Sequence, residues 1–380
     1  MYRLCKTINL VLGGGGIKGI AYAGSFDIAE QEGIKWGNIA GVSAGALVGA
    51  YASAGYSSLE LRKMLDVFDF SKIEINKIYK KVPAVQQFMT FNTQYRGECQ
   101  NTGNVMDVFL NSSLFDQNRG LSNSLYEFSG YRGNLLKNII TLSKEGCLCD
   151  GDYLEEWVYG VLSKKGIKTF GDLRGGRADS KNPKGYRIRM TAVDANRAKV
   201  IVLPDDIAFY GVEPDKLEVA RAVRMSTCVP FAFKPVEIKK ITGRVSRTYY
   251  IIDGGVLDNF PSWTMDTSDS SDVFGFRLTG SDKNKLLSID TPLNVLKALI
   301  CSVHDAGIDK NAKDLKFIED VNTGDISFLD FNLSEADKKY LFYTGQGSAR
   351  RLIKRYKNGR MLKNNGIFSF LNSFRNKTEI

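Results

Sequence analysis

Gly41-Val42-Ser43-Ala44-Gly45 stands between an apolar run, Asn38 to Val42, that reads as a strand and a small-residue stretch, Ala44 to Ala54, that reads as a helix. A G-x-S-x-G pentapeptide in that setting predicts a sharp strand-to-helix turn that lifts the serine hydroxyl away from the sheet. Gly41 and Gly45 are small because the strand and helix backbones pass close together there. Ser43 is the candidate nucleophile. Five small residues also recur as plain helix-packing contacts, so the flanking sequence has to carry the reading.

Upstream, Thr7 to Leu12 reads as a short strand, followed by Gly13-Gly14-Gly15-Gly16-Ile17-Lys18-Gly19 and a helix to about Glu32 stopped by Gly33. Backbone N–H groups of such a loop converge at a helix N-terminus, where unpaired donors and the positive end of the dipole stabilise an anion. Gly14, Gly16 and Gly19 satisfy G-x-G-x-x-G, which also suits a dinucleotide, but the G-K-S/T ending of a phosphate-binding loop is missing. The next strand-helix unit carries Ser43 where a ribose-binding acid would be expected. Gly14, Gly15, Gly16, Ile17, Lys18 and Gly19 therefore read as an oxyanion hole. Lys18 either adds charge beside an anionic substrate or is simply solvated.

The composition is that of an ordinary globular chain: 380 residues, 43% hydrophobic and 25% charged, enough for one large core or two smaller ones. No apolar run approaches the roughly 20 residues a membrane-spanning helix needs, and Ile8 to Leu12 is too short for a signal-peptide core. A cytoplasmic setting with reduced thiols is expected, because the six cysteines are scattered without a disulfide spacing. Cys147-x-Cys149 lacks a second pair or a nearby histidine to complete a zinc site, so no structural metal is expected. The net charge of +10 suits an anionic partner. Zinc-finger spacing, a basic heptad helix and an RNA-binding aromatic motif are all missing, which leaves peripheral contact with an anionic membrane surface ahead of nucleic acid.

Residues 59–150 mix Lys-rich, aromatic and Ser/Asn/Gly-rich stretches and read as a helical, family-variable insertion or as a lid or acyl-chain wall over the serine. Tyr186 to Val193 and Lys199 to Leu203 read as strands around a polar turn. Arg221 to Phe231 reads as a helix ending in an extended segment, and Tyr249 to Ile252 as a strand running directly into Asp253-Gly254-Gly255. An acid at a strand end before a glycine turn is where α/β folds place catalytic groups, although a turn-capping aspartate has the same signature. With an ordinary pKa of about 3.9 an aspartate is a weak base toward a serine, so Asp253 would have to be buried and held within hydrogen-bond reach. Beyond 270, Pro292 to Ala306 and Ala312 to Glu319 read as helical, Ile326 to Phe331 as a strand, and Ser334 onward as a long helix. Its basic end, Arg350, Arg351, Lys354, Arg355, Lys357, Arg360 and Lys363, precedes an aromatic run from Gly366 to Phe374 and reads as a membrane-surface anchor or a solvated terminus.

Taken in order, G-G-G-x-K-G at Gly14 to Gly19, G-x-S-x-G at Gly41 to Gly45, and D-G-G at Asp253 to Gly255 with Asn259 and Pro261 behind it resemble the patatin-like phospholipase family. The Arg221 to Pro235 stretch is also similar to that family's segment before its acid. The resemblance spans about residues 7–266 and implies a three-layer α/β/α catalytic domain, followed by a mostly helical extension over 267–380 with a basic tail. It implies a lipid acyl hydrolase of phospholipase A or lysophospholipase type, with Ser43 as nucleophile, Asp253 as proton acceptor, the Gly14 to Gly19 loop as oxyanion hole, and no cofactor. Its substrate would be a phospholipid or lysophospholipid; an activating protein partner is not specified. Two other readings stay open. An α/β-hydrolase triad would need His304, the one histidine in the chain, and a non-enzymatic anion-binding protein would use the glycine loop alone.

Overall fold

The computed structural model describes residues 6–68, 151–230, 232–266, 273–280, 315–328 and 333–375, with side chains of the last helix described up to residue 359. β1 (Lys6–Leu12) sends Ile8, Leu10 and Leu12 to one face of the sheet and Val11 to the other, as the two-residue period of a strand requires. After the glycine loop come α1 (Ile20–Gln31), β2 (Ile34–Val42) and α2 (Ala44–Ser53). α3 (Ser58–Val67) starts on a capping box in which Ser57 and Glu60 satisfy each other's backbone N–H. α4 (Asp152–Ser163), β3 (Ile188–Asp194), β4 (Lys199–Leu203) and α5 (Val219–Ser226) follow. The chain continues through β5 (Val236–Thr242), β6 (Val245–Asp253), β7 (Val273–Thr279), β8 (Phe317–Asn322) and α6 (Glu335–Arg375).

The strands form one mixed sheet with flanking helices, the α/β class expected. β3, β2, β1, β7 and β8 run parallel in that order, and β4 and β6 join β3 antiparallel. Helices α1, α2, α4, α5 and α6 pack into the core built on Ile8, Leu10 and Leu12. The opposite face, around Val11 and Ala40, is covered among the described residues by Phe260, Met265 and Leu315.

The register on β3 positions the site. β2 pairs with Ile188 to Thr191, ending at Val42 opposite Thr191, while β6 pairs with Ala192 to Asp194, ending at Asp253 opposite Ala192. β4 pairs with Met190 to Asp194 and so occupies the other edge. β2 and β6 therefore share one edge of β3 and meet end to end. Ser43 and Asp253 are brought to the junction by backbone register alone.

Among the described residues after 266, a helical C-terminal region is present as expected, together with two strands. β7 and β8 extend the sheet; part of the segment expected to be helical at Ala312 to Glu319 is β8 instead. Ile326 to Ser327 is not a strand but a connection leading into a turn at Phe328. α6 begins as expected, on Ser334, whose hydroxyl accepts from the Asp337 N–H (3.1 Å). It is not a free-standing basic tail over 351–357: Leu352, Ile353 and Tyr356 are buried in the core, Arg351 and Arg355 both pair with Glu319 (2.5 and 2.6 Å), and Lys357 pairs with Glu32 (2.7 Å). The aromatic run from Gly366, like 69–150 and the segment containing His304, lies outside the residues whose side chains are described.

α6 lies so close to α1 that only glycine fits at the crossing. A Cβ on Gly24 would sit 1.9 Å from the Phe342 carbonyl oxygen, and one on Gly345 would sit 1.8 Å from that of Ala21. Because both obstacles are backbone, neither can move aside without separating the helices. Gly345→Leu is expected to destabilise the protein by about 3 kcal/mol in denaturant unfolding, the upper range for overpacking.

Candidate active site

Ser43 follows the last residue of β2 and has φ 53° and ψ −120°, one of two non-glycine residues with positive φ among those described. A side chain rarely adopts this left-handed backbone, and it persists only where the surroundings impose it. Here the backbone packing does so. A Cβ on Gly41 would lie 2.5 Å from the Gly45 carbonyl oxygen, and one on Gly45 would lie 2.3 Å from that of Leu12. Strand β2, helix α2 and strand β1 thus touch backbone to backbone, which is why the pentapeptide carries glycine at both ends. The Ser43 N–H donates to Ser226 Oγ (2.9 Å), and that hydroxyl donates in turn to the Thr191 carbonyl (2.7 Å). Ser226, the last residue of α5, therefore ties the strained turn to β3.

Asp253 is 2% exposed, which meets the burial that the sequence reading required. Its backbone N–H donates to the Cys228 carbonyl (2.8 Å), and its Oδ1 accepts from the Gly255 N–H (2.7 Å), so the glycine turn orients the carboxylate. Gly254 has to be glycine because a Cβ would meet the Thr191 carbonyl oxygen at 2.6 Å and Val42 Cγ2 at 2.8 Å. The D-G-G turn is thus wedged against the end of β2. Asn259 joins the motifs: its carbonyl accepts from the Gly14 N–H (3.1 Å), and its side-chain Oδ1 lies 2.2 Å from where a Gly14 Cβ would be and 2.9 Å from where a Gly255 Cβ would be. A Gly14 Cβ would also be 3.3 Å from Ser43 Cβ. All three sequence motifs meet here.

The glycine loop is held by groups around it. Gly13 donates to the Phe276 carbonyl (3.0 Å), Ile17 to the Phe328 carbonyl (3.2 Å) and Lys18 to the Gly15 carbonyl (3.2 Å). The Tyr22 hydroxyl donates to the Gly13 carbonyl (2.7 Å), and its burial holds the phenol well above its ordinary pKa, so it stays a donor. Of the six residues expected to form an oxyanion hole, Gly14, Ile17 and Lys18 already spend their N–H groups in this way, and Gly19 lies inside the short turn that leads into α1. The N–H groups of Gly15 and Gly16 have no acceptor among the described residues. The Lys18 ammonium points toward the end of β7, 4.0 Å from where a Gly280 Cβ would be. Among the described residues there is no cluster of three His, Cys, Asp or Glu side chains placed to hold a metal.

Sequence comparison matches residues 10–265 to the family described as Patatin-like phospholipase. The chain belongs to the patatin-like phospholipase family. An uncharacterized protein of Bacillus subtilis, YqhO, is 29% identical over 92% of this chain and 99% of its own length. Lysophospholipase NTE1 of Scheffersomyces stipitis is 26% identical over 48% of this chain, and the match spans 12% of that much longer protein. Among solved structures, VipD from Legionella pneumophila aligns over 92% of this chain and 67% of its own with 17% identity and a TM-score of 0.48.

In this patatin-like chain an apolar pocket opens beside Ser43, between Gly16 and Ile17 of the loop on one side and Leu47 and Tyr51 of α2 on the other. Phe68 and Trp157, the latter in α4, contribute rings packed edge to face at 5.4 Å. Val229 and Phe233 add further wall, and so does Phe328, which no motif announced. Its side chain lines the pocket, its carbonyl accepts from Ile17, and a Cβ on Gly16 (φ 55°) would strike that carbonyl oxygen at 2.2 Å. Ser226 was equally hidden, one small polar residue in a helix. Ser226→Ala would strand the Ser43 N–H and the Thr191 carbonyl together; it is expected to cost about 1–3 kcal/mol in denaturant unfolding.

Proposed function

We propose that the chain is a lipid acyl hydrolase that cleaves carboxylic ester bonds of phospholipids or lysophospholipids through Ser43 and Asp253. Ser43 Oγ attacks the acyl carbonyl carbon while its proton passes to the Asp253 carboxylate. The carbonyl π electrons move to oxygen, and the N–H groups of Gly15 and Gly16 receive the resulting oxyanion. Collapse of that intermediate expels the alcohol, which takes the proton from Asp253 and leaves an acyl-serine. Water then attacks the acyl-serine with Asp253 as base, releasing the fatty acid and restoring the serine.

The observation that carries this reading is the strained Ser43 turn at the point where β2 and β6 meet, with the acid of β6 buried beside it. Strain of this kind is kept at functional sites, where it fixes a side chain in advance of reaction. Because Oδ1 of Asp253 is engaged by Gly255, Oδ2 is assigned to the serine proton. The apolar walls of the pocket suit an acyl chain, and the glycine loop at the start of α1 suits an oxygen that gains charge in the transition state. The name of the lysophospholipase relative points to the same substrate class.

Ser43→Ala removes one hydroxyl and is expected to abolish release of fatty acid from lysophospholipid while thermal unfolding stays cooperative. The binding-only reading predicts no hydrolysis even by the unaltered chain.

The single histidine gives a second test. Asp253→Asn is expected to lower turnover by several orders of magnitude, as loss of a group acting in concert with its nucleophile does elsewhere. His304→Ala is expected to stay within a few-fold of the parent, whereas a triad would make it as inactive as Ser43→Ala.

A further inference from the structure

The β5–β6 hairpin carries a surface that the fold does not use. From Ile238 to Ile252 the chain contains Lys239, Lys240, Arg244 and Arg247 and no acid. Residues 241–247 are all exposed, with Ile241 at 75% and Val245 at 56% flanking the turn. Lys240 stands directly opposite Arg247 across the hairpin, a like-charge pair that costs stability in a sheet. Among the described residues none of these four cations is in an ion pair, unlike Arg351, Arg355 and Lys357 of α6. Alongside Lys240 and Tyr249 of the hairpin, Phe209 is 38% exposed, and the cations of Lys240 (3.6 Å) and Arg197 (3.9 Å) lie over its ring. Tyr210 and Tyr249 pack against it edge to face.

Exposed apolar residues beside the turn, cations in the turn and on both strands, and an aromatic cluster along one face are the groups that suit hydrocarbon, anionic headgroups and the interface of a bilayer. The placement of the hairpin fits the same partner. β6 pairs with β3 only through its last three residues, Ile251 to Asp253, and reaches them from beyond the end of β3, so the hairpin projects from the end of the sheet where Ser43 sits. At a strand rise of about 3.3 Å per residue the turn stands roughly 25 Å from Asp253 along β6.

We propose that the β5–β6 hairpin, through Lys239, Arg244, Arg247, Ile241 and Val245, docks the protein on the surface of an anionic phospholipid bilayer. The need for such a surface rests on the lipid acyl hydrolase reading; the contact itself is measurable without hydrolysis. In the Ser43→Ala background, sedimentation with vesicles of phosphatidylcholine alone, or of phosphatidylcholine mixed with phosphatidylserine, should show binding that needs phosphatidylserine and weakens with added salt. K239E/R244E/R247E should lower that binding on the order of tenfold or more, since each basic residue near an anionic surface contributes several-fold. I241S/V245S should lower it several-fold at unchanged charge. Unaltered thermal unfolding of both variants separates lost contact from lost fold, and with Ser43 restored both should hydrolyse a water-soluble short-chain ester like the parent. Equal binding by the variants and the parent would overturn the proposal. So would binding indifferent to phosphatidylserine, or hairpin-dependent binding to a single-stranded oligonucleotide with none to vesicles. Failure of the hydrolase reading would show instead as no ester hydrolysis by the unaltered chain, with vesicle binding intact.

Discussion

Two strands meeting end to end on one edge of β3 is the constraint from which the site follows. An ordinary parallel sheet would carry β2 alone along that edge and leave its last residue facing solvent or a loop. Here β6 enters from the opposite direction and stops where β2 stops, with Val42 and Asp253 opposite consecutive residues of β3. A one-residue slip of either strand would turn its side chains to the other face of the sheet. It would also drive Gly254 away from the narrow gap between the Thr191 carbonyl and Val42, where no Cβ fits. Register and the glycine turn thus bring Ser43 and Asp253 together, and Ser226 and the Cys228 carbonyl hold their backbones in place.

The glycine loop depends on a different set of contacts, and most of them come from late in the chain. Phe276 of β7, Asn259 and Phe328 each offer a backbone carbonyl to it, at 3.0, 3.1 and 3.2 Å. A loop rich in glycine has the largest conformational entropy to lose, so a fixed shape needs external acceptors rather than its own side chains. The same acceptors consume the donors of Gly13, Gly14 and Ile17, which focuses the remaining free N–H groups on Gly15 and Gly16. Sheet edge, loop and pocket wall are thereby completed by the region after residue 266, which the sequence presents as an appendage.

The motifs that meet at the candidate site were legible because each is dictated locally. Ser43 needs small neighbours on both sides, Asp253 needs a turn behind it, and those demands leave G-x-S-x-G and D-G-G in the sequence. β8 was not legible, for a physical reason: Phe-Ile-Glu-Asp-Val-Asn lies at the end of the strand order and sends Glu319 to Arg351 and Arg355, and Asp320 to Arg277. Acids placed for tertiary ion pairs break the apolar alternation by which a strand is recognised. In α6 the opposite error arises. Leu352, Ile353 and Tyr356 form a helical stripe that enters the core, but the basic residues between them dominate the composition and suggest a solvent-facing anchor. Phe328 and Ser226 left no signal, since one acts through its carbonyl and the other through a single hydroxyl whose partners lie far away in sequence.

The same distinction between paired and unpaired cations decides what the net charge of +10 means. A total charge says nothing of where a field acts, because many cations are neutralised locally by an acid already counted in the +10: Arg351 and Arg355 share Glu319, Lys357 pairs with Glu32, and Arg174 with Asp215. Exposed pairs of this kind add little stability, but they cancel the field that an external anion would feel. On the β5–β6 hairpin the cations meet no acid in an ion pair among the described residues, and Lys240 and Arg247 face each other at a cost. Strand β6 carries exposed Arg247 near its start, where it pairs with the cation-bearing β5, and Asp253 at its end. Any surface that neutralises the hairpin therefore meets the strand that ends at Asp253, and the sheet between them sets the distance from that surface to the Ser43 turn.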